Sequence, residues 1–218
     1  FEKNVSGTDY FIGDIHGEIS ALKKALNAIR FNESKDRLFS VGDLVDRGED
    51  SMEVLRFFRD SPWFHAVRGN HEDMLKKVHE NDWPLDNYLI NGGKWYFVLS
   101  PEEKNEAYDI VKDLPIVIKA GDVGVVHAQP LNNWESMVEG IIHGNENNLE
   151  MYVMWGRDVI RGTLPFNCDG IGKVFCGHTV IKTPVNRGNV KFIDTGAVFG
   201  GKLTICNSDG IVVYPFED

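Results

Sequence analysis

Three times before residue 80 a short apolar run ends in a polar, glycine-containing turn and gives way to a helical repeat. Tyr10-Phe11-Ile12 runs into Gly13-Asp14, after which Ile19, Leu22, Leu26 and Ile29 recur at helical spacing. Leu38-Phe39-Ser40-Val41 runs into Gly42-Asp43, followed by Met52, Val54, Leu55 and Phe58, and Phe64-His65-Ala66-Val67 runs into Arg68-Gly69-Asn70, followed by Met74, Leu75 and Val78. Consecutive strand, loop and helix units of this kind predict a βαβ sheet with helices packed on it, an α/β (α+β) fold.

The later chain changes character. Pro101 to Leu114 reads as a helix closed by Pro115, and six short β-rich runs are separated by Gly, Asn and Asp turns: Ile116–Lys119, Val123–His127, Lys173–Cys176, Val190–Ile193, Leu203–Cys206 and Ile211–Tyr214. This half predicts a second, more antiparallel sheet packed on the first. Asn81–Gly93 and Leu131–Asn167 are weakly periodic, as expected of helices and long loops lying over a site, and the loops around Asn81–Trp95 and Asn132–Gly144 are expected to shape substrate choice. No linker composition interrupts the 218 residues, so residues 1–218 are expected to form one domain.

Twenty-three Lys and Arg against 33 Asp and Glu give a formal charge of −10. A protein that coats nucleic acid is normally basic, so the charge balance argues against nonspecific nucleic-acid binding, and a phosphorylated substrate would have to meet a local cluster of arginines or metal ions. Cys168, Cys176 and Cys206 form no C-x-x-C pair and are expected to be buried small hydrophobes of a reducing compartment. No apolar run approaches the roughly 20 residues that span a bilayer. The expectation is a soluble, cytoplasmic, monomeric protein without a membrane partner. The chain starts at Phe1 rather than Met, which leaves open whether residues precede it.

Ligands of open α/β sheets bind outside the carboxyl ends of the strands. The first three predicted strands deliver Asp14 and His16, then Asp43, Asp46 and Arg47, then Arg68, Asn70, His71 and Glu72; two later ones end at His127 and, through Gly177, at His178. Carboxylates, an amide oxygen and imidazoles suit borderline or hard divalent ions such as Mn, Fe or Zn. Six candidate ligands exceed the need of one tetrahedral ion, and a two-metal centre with a bridging carboxylate is the natural count. His65, His79 and His143 lack such a context and read as packing or surface residues. Gly92-Gly93-Lys94 and Gly200-Gly201-Lys202 lack Walker spacing and read as turns, and Trp83, Trp95, Trp134 and Trp155 read as core or partly buried.

Gly13-Asp14-Ile15-His16-Gly17, Gly42-Asp43-Leu44-Val45-Asp46-Arg47-Gly48 and Arg68-Gly69-Asn70-His71-Glu72 resemble the three signature blocks of the phosphoprotein phosphatase family of metallophosphoesterases. Val126-His127-Ala128 and Gly177-His178-Thr179 resemble its two later histidine motifs, and the Asn91-Gly92-Gly93-Lys94-Trp95 stretch is most similar to the bacterial and bacteriophage branch. The resemblance spans about Tyr10 to Gly196. It implies a four-layer sandwich of two mixed sheets flanked by helices, with two divalent ions, usually manganese, and iron, zinc or nickel as alternatives. By position, Asp14 and His16 would hold the first ion, Asp43 would bridge, and Asn70, His127 and His178 would hold the second. His71 would protonate the leaving alkoxide, oriented by Asp46, while Arg47, Arg68 and Arg157 would bind the phosphate.

The resemblance implies hydrolysis of phosphate monoesters, foremost phosphoserine and phosphothreonine in proteins, by in-line attack of a metal-bridging hydroxide. The competing expectations are a dinucleoside polyphosphate hydrolase, which shares the three blocks, and a catalytically idle regulatory module. Intact ligands and acid weigh against idleness, and the short chain weighs against the second nucleoside site.

Overall fold

The computed structural model describes residues 1–144, 148–163 and 166–215. The N-terminal half alternates as expected: β1 (Asp9–Ile12), α1 (Ile19–Ala28), β2 (Arg37–Ser40), α2 (Ser51–Asp60), β3 (Phe64–Ala66) and α3 (Asn70–His79). Three helices follow, α4 (Leu85–Ile90), α5 (Lys94–Phe97) and α6 (Pro101–Val111). Helix α6 starts where its sequence dictates: the Ser100 hydroxyl accepts from the Glu103 N–H, Glu103 accepts from the Ser100 N–H, and Pro101 fills the first turn.

Next come β4 (Val117–Ala120), β5 (Val123–Val126), α7 (Trp134–His143), α8 (Leu149–Trp155), α9 (Asp158–Arg161), β6 (Lys173–Cys176), β7 (Val185–Arg187), β8 (Val190–Phe192), β9 (Ile205–Asn207) and β10 (Val212–Tyr214). The segment Leu131–Asn167 thus carries three helices; its positions 145–147 and 164–165 lie outside the described residues.

Two five-stranded mixed sheets form, ordered β10-β9-β1-β2-β3 and β4-β5-β6-β8-β7. The runs at Leu203–Cys206 and Ile211–Tyr214 correct the sequence reading, because they join the first sheet. Strand β9 pairs antiparallel with β1, Phe11 opposite Cys206, and so fills the edge of β1 that β2 leaves open. The second sheet is also less antiparallel than expected: β6 runs parallel to both β5 and β8. Strand β7, Val-Asn-Arg, is a polar edge with no apolar run to announce it.

The side-chain period of two sorts each strand between layers. Phe11, Phe39, Val125 and Phe175 point into the space between the sheets, where the Phe11 and Phe175 rings stack 4.4 Å apart. Ile12, Leu38 and Phe64 point the other way, onto Leu22, Leu55, Met74 and Val111 of the helices over the first sheet. Val174, Cys176 and Phe192 do the same against Met137, Val153 and Ile160 over the second. The result is the four-layer sandwich implied by the resemblance. All three cysteines are buried and free. No described helix is long and apolar enough to cross a membrane.

Candidate metal centre

The carboxyl ends of β1, β2, β3, β5 and β6 converge, and with them the loops that carry polar residues. Five of those residues adopt positive φ: His16 (47°), Asp43 (52°), Asp46 (72°), Arg47 (71°) and His178 (67°). Each such non-glycine conformation costs on the order of 1 to 2 kcal/mol, and strain of this kind persists where the surroundings over-determine it.

At Asp43 that determination comes from Glu72, which sequence reasoning placed at a strand end without a role. Its buried carboxylate accepts from the backbone N–H groups of Gly69 (2.9 Å), Asp43 (2.9 Å), Leu44 (2.8 Å) and Val45 (3.2 Å). One side chain in the first turn of α3 therefore ties the β3 loop to the β2 loop. The signal was available: a Glu three residues after a helix N-cap usually turns back to bind backbone donors. Glu72→Ala should strip four buried donors and lower folding stability by at least about 3 kcal/mol, read by urea denaturation against the parent.

Asp43 is the hub. Its Oδ2 lies 3.5 Å from His16 Nε2 and 3.8 Å from His71 Nε2, and its Oδ1 lies 3.4 Å from His127 Nε2. Two groups present ligand atoms within 4.8 Å of one another, His16 with Asp43 and His71, and Asp43 with His127 and His178. Asn70 Oδ1 sits 2.9 Å from His127 Nε2 and 2.8 Å from His178 Nδ1. Asp14 belongs to neither group of three; its carboxylate accepts from the His178 backbone N–H at 3.0 and 3.2 Å. That approach requires glycine at 177, where a Cβ would stand 1.9 Å from Asp14 Oδ1.

These donors fit divalent cations. His16 Nδ1–H donates to Val45 O and His127 Nδ1–H to Val41 O, each at 2.7 Å, which leaves both Nε2 lone pairs facing Asp43. Burial holds the imidazoles in their neutral, metal-binding form, with His16 lowered to about 3, His178 to about 2, and His127 shifted the same way. The carboxyls are crowded instead: burial with the charges of Asp194 and Asp43 raises Asp14, and burial with Asp43 raises Asp194 to about 6. Lone pairs and negative charge thus converge on one buried volume, where the charge of Arg47 lowers Asp14 and Asp194 without reversing their upward shifts. Asp194, 4% exposed, is a carboxylate that no sequence motif pointed to.

His71 differs from the other imidazoles. Its Nδ1 lies 2.7 Å from Asp46 Oδ2, and its Nε2 is buried with no partner. Burial alone would lower its pKa, but the Asp43 and Asp46 carboxylates outweigh burial and raise it, which favours the protonated ring.

The arginines take three positions. Arg47 Nη1 reaches His16 Nε2 at 2.6 Å, and its guanidinium lies over the Phe199 ring. Arg157 bears electrostatically on His127 and His178. Arg68 is not joined to the ligand cluster by a hydrogen bond: its Nη2 donates to Lys112 O (3.3 Å) and Leu114 O (3.0 Å), leaving a buried Nε–H without an acceptor. Of the histidines read as packing residues, His65 lies against Phe1 and Phe39, and His79 stacks on Tyr108.

Residues 10–182 match the model of the calcineurin-like phosphoesterases. The chain is 34% identical over 207 residues to a serine/threonine-protein phosphatase 1 of Salmonella typhimurium, covering 90% of this chain and 89% of that one. It is 26% identical to a symmetrical bis(5'-nucleosyl)-tetraphosphatase of Nitrosospira multiformis, covering 95% of each. Among solved structures it superposes with a TM-score of 0.70 on one described provisionally as a diadenosine tetraphosphatase, 22% identical, over 97% of this chain and 94% of that one.

Proposed function

This chain belongs to the calcineurin-like phosphoesterase family, and from that premise we propose that it hydrolyses phosphoserine and phosphothreonine in proteins. It is a hydrolase of the metallophosphoesterase class, and divalent ions belong to its chemistry. Asp14, His16 and Asp43 would hold one ion, and Asp43, Asn70, His127 and His178 a second, with manganese the first choice. When bound, the ions supply neutralising charge and lower the pKa of the water that attacks phosphorus.

The protein's own groups do the rest. Arg47, Arg68 and Arg157 take the phosphate oxygens, where a planar guanidinium matches two acceptors and offsets the dianion's charge. The open Nε–H of Arg68 is a donor awaiting an anion, with Nη2 pinned by two carbonyls. His71 delivers a proton from Nε2 to the leaving oxygen as the P–O bond breaks, and Asp46 holds the opposite ring nitrogen.

The observation that carries the substrate choice is this buried pair, with Nε2 unpartnered beside the hub carboxylate. An alkoxide leaving group needs a proton in the transition state, whereas a nucleoside polyphosphate departs as a stable anion. The second reading, a symmetrical dinucleoside tetraphosphate hydrolase, draws on the relative and the fold neighbour bearing that description. Metal-free protein reloaded separately with Mn, Fe, Zn, Ni and Mg should turn over phosphoserine peptides with higher kcat/KM than diadenosine tetraphosphate. The reverse order would establish the second reading.

Arg47→Ala and Arg68→Ala should each remove one charge-assisted partner, about 1.5 to 3 kcal/mol or roughly 10 to 150-fold in kcat/KM, with metal content unchanged. Inorganic phosphate should inhibit both variants more weakly than the parent. Arg68→Ala should also unfold at lower urea, since the carbonyls of Lys112 and Leu114 lose their donor.

A further inference from the structure

Asp46 accepts more hydrogen bonds than an orienting carboxylate needs for its histidine. The side chain is fully buried, and its Oδ2 faces His71 Nδ1 at 2.7 Å. The other oxygen, Oδ1, accepts from two further side chains: the Tyr88 hydroxyl at 2.9 Å and the Trp95 indole N–H at 2.6 Å. Tyr88 is fully buried on α4, and Trp95 is half-buried on α5.

We propose that Tyr88 and Trp95 are positioning residues for proton delivery, and that the insert carrying α4 and α5 braces the catalytic loop from behind. This rests on the reading of His71 as the general acid. A buried carboxylate with one oxygen unpartnered would swing towards any available donor and lose its hold on the imidazole. Two donors on Oδ1 fix the plane of the carboxylate, so that Oδ2 stays aimed at Nδ1. The ring is thereby held at Nδ1, with Nε2 directed at the leaving oxygen. When the P–O bond breaks, its electron pair goes to that oxygen, which takes the Nε2 proton and leaves a neutral imidazole.

The backbone of the insert supports the same assignment. Gly92 O accepts from Arg47 N–H (3.3 Å), and with φ of 106° a Cβ at Gly92 would stand 2.7 Å from Arg47 Cγ. A Cβ at Gly93 would meet the Tyr88 ring at 2.5 Å. The Gly92-Gly93 pair, which reads as a turn in the sequence, is the close contact that lets the insert reach Asp46 and Arg47 together. The segment is therefore more than the substrate-selecting loop expected from sequence.

Trp95→Phe and Tyr88→Phe keep a ring at each position and remove one N–H or O–H. The control is Tyr96→Phe, whose hydroxyl pairs with His79 Nδ1 (2.7 Å) from the same helix α5 and makes no hydrogen bond to Asp46. Each variant, and His71→Asn beside them, is assayed for kcat on p-nitrophenyl phosphate, phenyl phosphate and a phosphoserine peptide, with metal content measured. Trp95→Phe and Tyr88→Phe should each lose on the order of 10-fold on the peptide and little on p-nitrophenyl phosphate, with metal retained. The loss should disappear in an Asp46→Asn background, where the carboxylate they hold is gone. Tyr96→Phe should leave the leaving-group dependence unchanged. Equal losses on all three substrates, or a Tyr96→Phe profile matching the other two, would overturn the inference while His71→Asn still marks the acid. If His71→Asn itself shows no leaving-group selectivity, the general-acid reading fails and the positioning role falls with it.

Discussion

Asp43→Asn should lose bound metal and at least about 10³-fold in turnover on every substrate, because metal-derived charge stabilisation amounts to several kcal/mol in such centres. Asp43 is the only side chain shared by the two groups of converging ligand atoms among the described residues, with Oδ2 towards His16 and His71 and Oδ1 towards His127. An amide keeps the shape but not the charge, and one end of it presents N–H donors where a cation should sit. The loss should therefore be indifferent to the leaving group. Metal content measured with activity on p-nitrophenyl phosphate and a phosphoserine peptide checks this; full metal retention with a selective loss on the peptide would move Asp43 out of the hub role.

His71→Asn should behave in the opposite way. Serine leaves as a strongly basic alkoxide, whereas p-nitrophenolate is stable without a proton. A loss of about 10² to 10⁴-fold is expected on phosphoserine peptides, the usual range for general acid catalysis, with a much smaller loss on p-nitrophenyl phosphate. Geometry gives this variant its diagnostic value, because His71 Nε2 also lies 3.8 Å from Asp43 Oδ2, close enough to be counted among ligand atoms. Retained metal with selective loss assigns the ring to proton transfer; loss of a metal ion assigns it to the coordination sphere.

The strand ends were legible in the sequence because each donor follows an apolar run directly, so local periodicity places Asp14, Asp43, Asn70, His127 and His178 at one edge of the sandwich. What was not legible depends on contacts between distant segments. Nothing near residue 205 signals that β9 lies beside β1, since pairing of Phe11 with Cys206 is a property of the closed sheet. The same holds for the groups behind the site. Trp95 and Tyr88 reach Asp46 across 49 and 42 residues of chain, and as aromatic residues their default is core packing. Asp194 has no flanking pattern of its own and acquires meaning only through the buried charge of Asp14 and Asp43 around it. Glu72 was the intermediate case, placed at the right turn by sequence but given its function by four N–H groups from two loops.

The central claim is that the converging ligands hold two divalent ions that act together through Asp43. Elemental analysis of metal-free protein titrated with manganese, with turnover of p-nitrophenyl phosphate followed in the same samples, tests it most directly. Activity should stay low through the first equivalent and reach its plateau at two ions per chain. Full activity at one ion per chain would contradict the claim.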